Sequence, residues 1–128
     1  MAASSAELHE DPQQLKPETI DRHRAIVSLM EELEAIDWYD QRVEAASDPQ
    51  LKEILAHNRD EEKEHAAMML EWLRRHDQKM DEHLRTYLFT KKSVLQIEHE
   101  AEDGDGDGDG DEDSGSSAGC LNIGSLRK

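Results

Sequence analysis

With 128 residues, 35% of them hydrophobic and 36% charged, the chain has material for one small domain and little for a core buried inside a single subunit, so oligomerisation is expected. Lysine and arginine number 15 against 31 aspartates and glutamates, and the formal charge of −16 argues against nucleic acid or an anionic membrane as partner while suiting cations. The only cysteine, Cys120, excludes an internal disulfide, and no apolar run resembles a signal segment or a spanning helix, so a soluble cytoplasmic protein is expected.

Residues 1–16 are polar, interrupted by Pro12 and followed by Pro17, and read as a flexible arm. From about Thr19 to Ala46, apolar residues recur at Ala25, Leu29, Ile36 and Val43, with Ile26 and Leu33 broadening the stripe, which is helical periodicity. Ser47-Asp48-Pro49 offers an N-cap followed by proline at a first helical position, a signal for a tight turn into a second antiparallel helix. That helix runs to about Asp77, with Leu51, Leu55, Met69 and Leu73 on one stripe. A shorter helix is expected near Asp81–Phe89. The fold class is therefore all-α, a two-helix hairpin plus a short third helix, with 17–97 as the helical domain.

Residues 98–119 pass from acidic side chains into Asp-Gly alternation and a Ser/Gly run, a composition that buries too little surface to order itself and reads as a self-repelling linker. Residues 120–128 form a small apolar-polar peptide at the end of that tether, the arrangement of a docking tag. The Asp103–Gly108 run lacks the closing glutamate of a calcium loop, since Ser114 stands there, and Cys120 has no neighbouring base to activate it.

Three residues are of the wrong type for the faces they occupy. At about 100° per residue, Glu32 falls within the apolar stripe of the first helix between Leu29 and Ile36, and Glu62 and His65 fall within that of the second. Ionisable groups facing inward need a partner, and a metal ion satisfies two carboxylates and an imidazole together. Among the seven histidines only His65 has a glutamate three residues earlier, the Glu-x-x-His spacing that puts both side chains on one helical face. Ferritin-like di-iron bundles take one glutamate from each of two helices and Glu-x-x-His from each of two others, so this chain carries half of the set and a two-fold dimer of hairpins would complete it.

Other positions have a plain reading beside a functional one. Tyr39 suits the core, or its hydroxyl reaches the groups around the metal ligands. Glu31 and Glu34, with Trp38 one turn after Glu34, form a solvated face or an acidic funnel that concentrates Fe(II). His57, Glu61 and Glu64 lie on one arc of the second helix, as surface charge or as a weak outer ion site.

The stretches Asp21-Arg22-His23-Arg24-Ala25-Ile26-Val27-Ser28, Met30-Glu31-Glu32-Leu33-Glu34-Ala35 and Asp37-Trp38-Tyr39-Asp40-Gln41-Arg42 strongly resemble the encapsulated ferritins. So do the segment from Ile54 to Ala66, containing Glu61-Glu62-Lys63-Glu64-His65, and Glu71-Trp72-Leu73-Arg74-Arg75. The terminal Leu121-Asn122-Ile123-Gly124-Ser125-Leu126 is similar to the cargo-loading peptide that encapsulin shells recognise. The resemblance implies a ferroxidase that oxidises Fe(II) with O2 in a ring of dimers, by family likeness a decamer, housed in a cytoplasmic encapsulin nanocompartment whose lumen stores the mineral. It implies a di-iron centre with Glu32, Glu62 and His65 from each of two chains, Tyr39 beside it, Glu31, Glu34 and Trp38 where iron arrives, and His57, Glu61 and Glu64 as an outer site, with Ca as a candidate accessory ion. The Asp-Gly linker is a departure from the family pattern. Two rival functions stand beside it: a non-catalytic cargo protein that binds a divalent ion, and a haemerythrin-like oxygen carrier, for which one histidine per chain in the site is too few.

Overall fold

The computed structural model describes residues 6–104, which form four α-helices and one 3-10 turn and contain no strand. Most of the acidic linker and the peptide Leu121–Leu126 lie outside the described residues. The chain divides into two compact units, one ending at Leu88 and the other beginning at Phe89.

The first unit is built on a helical hairpin. Each proline stands at an element start, Pro12 at the 3-10 turn Pro12–Gln14, Pro17 at helix α1 (Pro17–Ala45) and Pro49 at helix α2 (Pro49–His76), where the missing N–H is no loss. No glycine precedes Gly104, so nothing interrupts either long helix. α1 ends with the Ala46 N–H donating to the Arg42 carbonyl at 2.9 Å, and α2 starts three residues later with Asp48 Oδ2 accepting from the Leu51 N–H at 3.0 Å. α1 and α2 pack against each other along their length.

The register is antiparallel and is marked by an ion pair near the turn, where Arg59 Nη1 donates to Asp40 Oδ1 at 3.0 Å. The buried apolar material among the described residues amounts to Ala25, Ala66 and Leu73. One buried leucine side chain contributes about 1.5–3 kcal/mol, while ordering each residue costs about 1–2 kcal/mol of backbone entropy. The hairpin therefore has too little core to stand well alone.

Helix α3 (Gln78–Tyr87) packs on α2 and is reached through Asp77, whose extended backbone (φ −146°, ψ 107°) breaks α2 and whose Oδ1 accepts from the Met80 N–H at 3.0 Å. Asp77 thus moves the expected start at Asp81 to Gln78. At the far end Phe89 has φ 61°, the left-handed position that commonly follows a helix C-cap and that glycine fills most easily. Phe89 therefore closes α3 instead of belonging to it.

In the second unit, helix α4 (Val94–Gly104) occupies a span that composition divides between the helical domain and the linker. The Ile97 N–H donates to the Ser93 carbonyl at 3.0 Å, Lys92 Nζ pairs with Glu100 at 3.4 Å, and His99 Nε2 with Asp103 at 3.3 Å. These pairs, the last at i,i+4 spacing, keep the acidic run helical until Gly104.

Candidate metal centre

α1 and α2 each bring one part of the expected set to the middle of the hairpin. Ligand-type atoms of Glu32, Glu62 and His65 all lie within 4.8 Å of one another, and no other such group of three occurs among the described residues. His65 Nδ1 is 3.4 Å from Glu62 Oε2 on its own helix and 3.7 Å from Glu32 Oε2 on the facing one. One imidazole nitrogen is therefore turned to both carboxylates, as a ligand atom must be.

The expectation that these groups are buried is corrected. Their side chains are 26% exposed at Glu32, 25% at Glu62 and 43% at His65, and no polar side chain is buried among the described residues. The reason is geometric: in a hairpin an inward stripe meets one neighbouring helix, which covers only part of its width.

The Glu32 carboxyl, donating its proton to the Glu62 carboxylate, is held above its ordinary range, and desolvation and the Glu62 charge add to the shift. The same bond holds Glu62 below its ordinary range, helped by His65. Glu32 therefore keeps its proton to higher pH than Glu62 does. A divalent cation placed between them replaces that proton with a full positive charge, so two hard oxygens and a borderline nitrogen fit a first-row divalent metal.

The remaining candidates fall outside this cluster. Tyr39 is half-buried and lies seven residues beyond Glu32, about 10 Å along the helix axis, with the Arg42 guanidinium 5.5 Å from its ring centroid. The same guanidinium lies 5.9 Å from the exposed Trp38 ring, and Glu31 and Glu34 are exposed. His57 Nε2 pairs with Glu61 at 3.0 Å in the open, while Glu64 is exposed and joins no three-ligand group.

Two arrangements escaped the sequence. Arg59 bridges to Asp40 on α1 and to Asp60 on its own helix. Arg74 makes a two-pronged bond to Glu71, at 2.6 and 2.8 Å, and also pairs with Asp81 on α3, while Arg75 and Arg85 complete the network. The Glu71-x-x-Arg74-Arg75 spacing was readable as helical ion pairs. The arms to Asp40 and Asp81 cross between helices and have no local signature.

Comparison with known proteins agrees with this architecture. The family model described as EncFtn-like matches residues 7–91. A curated Rhodospirillum rubrum protein named encapsulated ferritin-like protein is 62% identical over 99% of this chain and 92% of its own length. A Thermotoga maritima protein named ferritin-like protein is 54% identical over 72% of this chain and 81% of its own. A crystal structure of a Nitrosomonas europaea protein, 62% identical, superposes with a TM-score of 0.66 over 68% of this chain and 96% of that one. The chain belongs to the EncFtn-like family of encapsulated-ferritin-like proteins.

Proposed function

We propose that the protein is a ferroxidase, oxidising Fe(II) to Fe(III) with O2 at a di-iron centre completed by two copies of the chain. The observation that carries this reading is the convergence of Glu32, Glu62 and His65 on a part-open side of the hairpin. Three ligand groups leave an ion under-coordinated, and a second hairpin related by a two-fold axis brings the other Glu and Glu-x-x-His that a di-iron bundle uses.

The apolar surface supports the same assembly. Ile54 and Met68 continue the line of His65 along α2 at helical spacing, and both are exposed. On α1, Ile26 and Leu33 lie in line with Asp40 and are also exposed. Asp40 and Arg59 meet on one side of the hairpin while His65 opens to the other, so both sides need covering, as a ring of dimers provides.

In this reading the paired carboxylates hold two Fe(II) ions, release the Glu32 proton as the metal enters, and neutralise charge as each iron loses an electron. The imidazole supplies one nitrogen per iron. Iron supplies the electrons that reduce O2. Glu31 and Glu34 with Trp38 form the approach for Fe(II); Tyr39 serves the neighbouring copy's end of the site; and His57, Glu61 and Glu64 form an outer cation site. The peptide Leu121–Leu126 docks the ring inside an encapsulin shell, where Fe(III) is stored. The family relationship and the name of the Rhodospirillum rubrum relative support that location.

The test mixes the full chain with Fe(II) under air, follows ferric absorbance and records oligomeric mass. Fast oxidation that falls to the buffer background in Glu32→Ala, Glu62→Ala and His65→Ala is expected. Background-rate oxidation by the parent chain, with metal still bound, would leave a non-catalytic metal-binding cargo protein.

A further inference from the structure

Met68 and Met69 follow His65 by three and four residues, so both thioethers sit one helical turn from a metal ligand. Met69 is half-buried and lines a groove with Ala25, Ser28 and Trp72, and Ser28 in turn precedes Glu32 by one turn. The groove therefore begins about one helical turn from the candidate metal centre on both helices. Met68 is 57% exposed beside it. Met30, 38% exposed, is two residues from Glu32 and so about 200° round the helix from it. Met80 lies on α3.

We infer that Met68 and Met69 form a sacrificial oxidant trap for hydrogen peroxide released at the metal centre, an inference that rests on the ferroxidase reading and names its reduced oxygen product. Two Fe(II) ions give one electron each to O2, which takes up two protons and leaves as hydrogen peroxide. A methionine sulfur then donates an electron pair to the nearer peroxide oxygen, the O–O bond breaks, an S=O bond forms, and the other oxygen leaves as water. The sulfur is oxidised by two electrons and the peroxide reduced by two. Because the oxidant is generated about one turn away, Met68 and Met69 meet it at higher local concentration than Met30 or Met80. Thioethers are flexible and polarisable, and their sulfoxides are reversible lesions, so they spare Trp72 and the ligands.

Four of the five methionines, Met30, Met68, Met69 and Met80, separate proximity to the centre from mere susceptibility. The full chain is cycled with Fe(II) under air, digested, and each methionine mapped for sulfoxide by mass spectrometry, with the initial oxidation rate measured in parallel. Sulfoxide at Met68 and Met69 several-fold above Met30 and Met80, lost in Glu62→Ala, is the expected result. In the paired variant Met68→Leu/Met69→Leu, a swap that conserves volume, free peroxide per iron should rise while the initial rate is unchanged. Fast iron oxidation with sulfoxide at Met30 or Met80 equal to or above that at Met68 and Met69 overturns the trap and leaves the ferroxidase reading standing. An oxidation rate no faster than buffer overturns both.

Discussion

Glu32 and Glu62 approach each other from different helices, and His65 completes the triangle. Because Glu32 is pushed above its ordinary range by the Glu62 hydrogen bond, its proton is held to higher pH than in the unfolded chain. A metal must displace that proton, so affinity should rise as pH climbs through the raised Glu32 value and level off once the proton has gone. Titration with a redox-inert divalent ion such as Co(II) should show up to about one proton released per ion bound. Glu32→Gln keeps a hydrogen-bonding side chain but has no proton to lose, so it should bind more weakly and with a flatter pH profile. Equal slopes in parent and variant would remove the Glu32 proton from the account. The convergence of Glu32, Glu62 and His65 was legible in the sequence because a charged residue on an apolar stripe contradicts its surroundings. Tyr39 was not resolved in the same way: an aromatic on that stripe contradicts nothing, and it lies about two turns along α1 from Glu32.

At the scale of elements, the long helices were legible to within two residues because proline and capping signals mark their starts. The shorter ones were not. α3 begins at Gln78, because Asp77 both breaks α2 and caps the new helix, and α4 gathers the acidic residues up to Gly104 into a helix that composition assigned to a linker. The corner between α2 and α3 is held by Glu71, which Arg74 and then Arg75 hold down to about 2, and by Asp81, which Arg74 also holds low. A depressed carboxylate stabilises the fold above its unfolded value and loses that contribution as pH falls through the folded one. For Glu71 the window runs from 4.5 down to about 2. Helical circular dichroism during acid titration should therefore show Glu71→Gln less stable than the parent at neutral pH, with the two curves converging inside that window. A constant difference down to the acid end would mean that the glutamine had perturbed packing and not the ion network.

For the molecule as a whole, the shortage of core sets the terms. Ala25, Ala66 and Leu73 are buried, whereas Ile26, Leu33, Ile54 and Met68 lie open on two sides of the hairpin. That imbalance was anticipated by composition, since 36% charged residues in a short chain leave little to bury. In the proposed dimer folding and assembly become one equilibrium, because there the apolar area that offsets chain entropy is buried between copies. The thermal midpoint should accordingly rise with protein concentration, which a self-sufficient monomer would not show. A divalent metal that binds the assembled site should raise it further, through a stability increment of about 2.7 kcal/mol at a hundredfold excess over its Kd. Scanning calorimetry over a wide concentration range, with and without Co(II), separates the two contributions. Glu62→Ala should abolish the metal increment and keep the concentration dependence, since the apolar sides remain. A midpoint independent of concentration would show that the hairpin stands alone, and the second set of ligands would then have to come from somewhere other than a second copy.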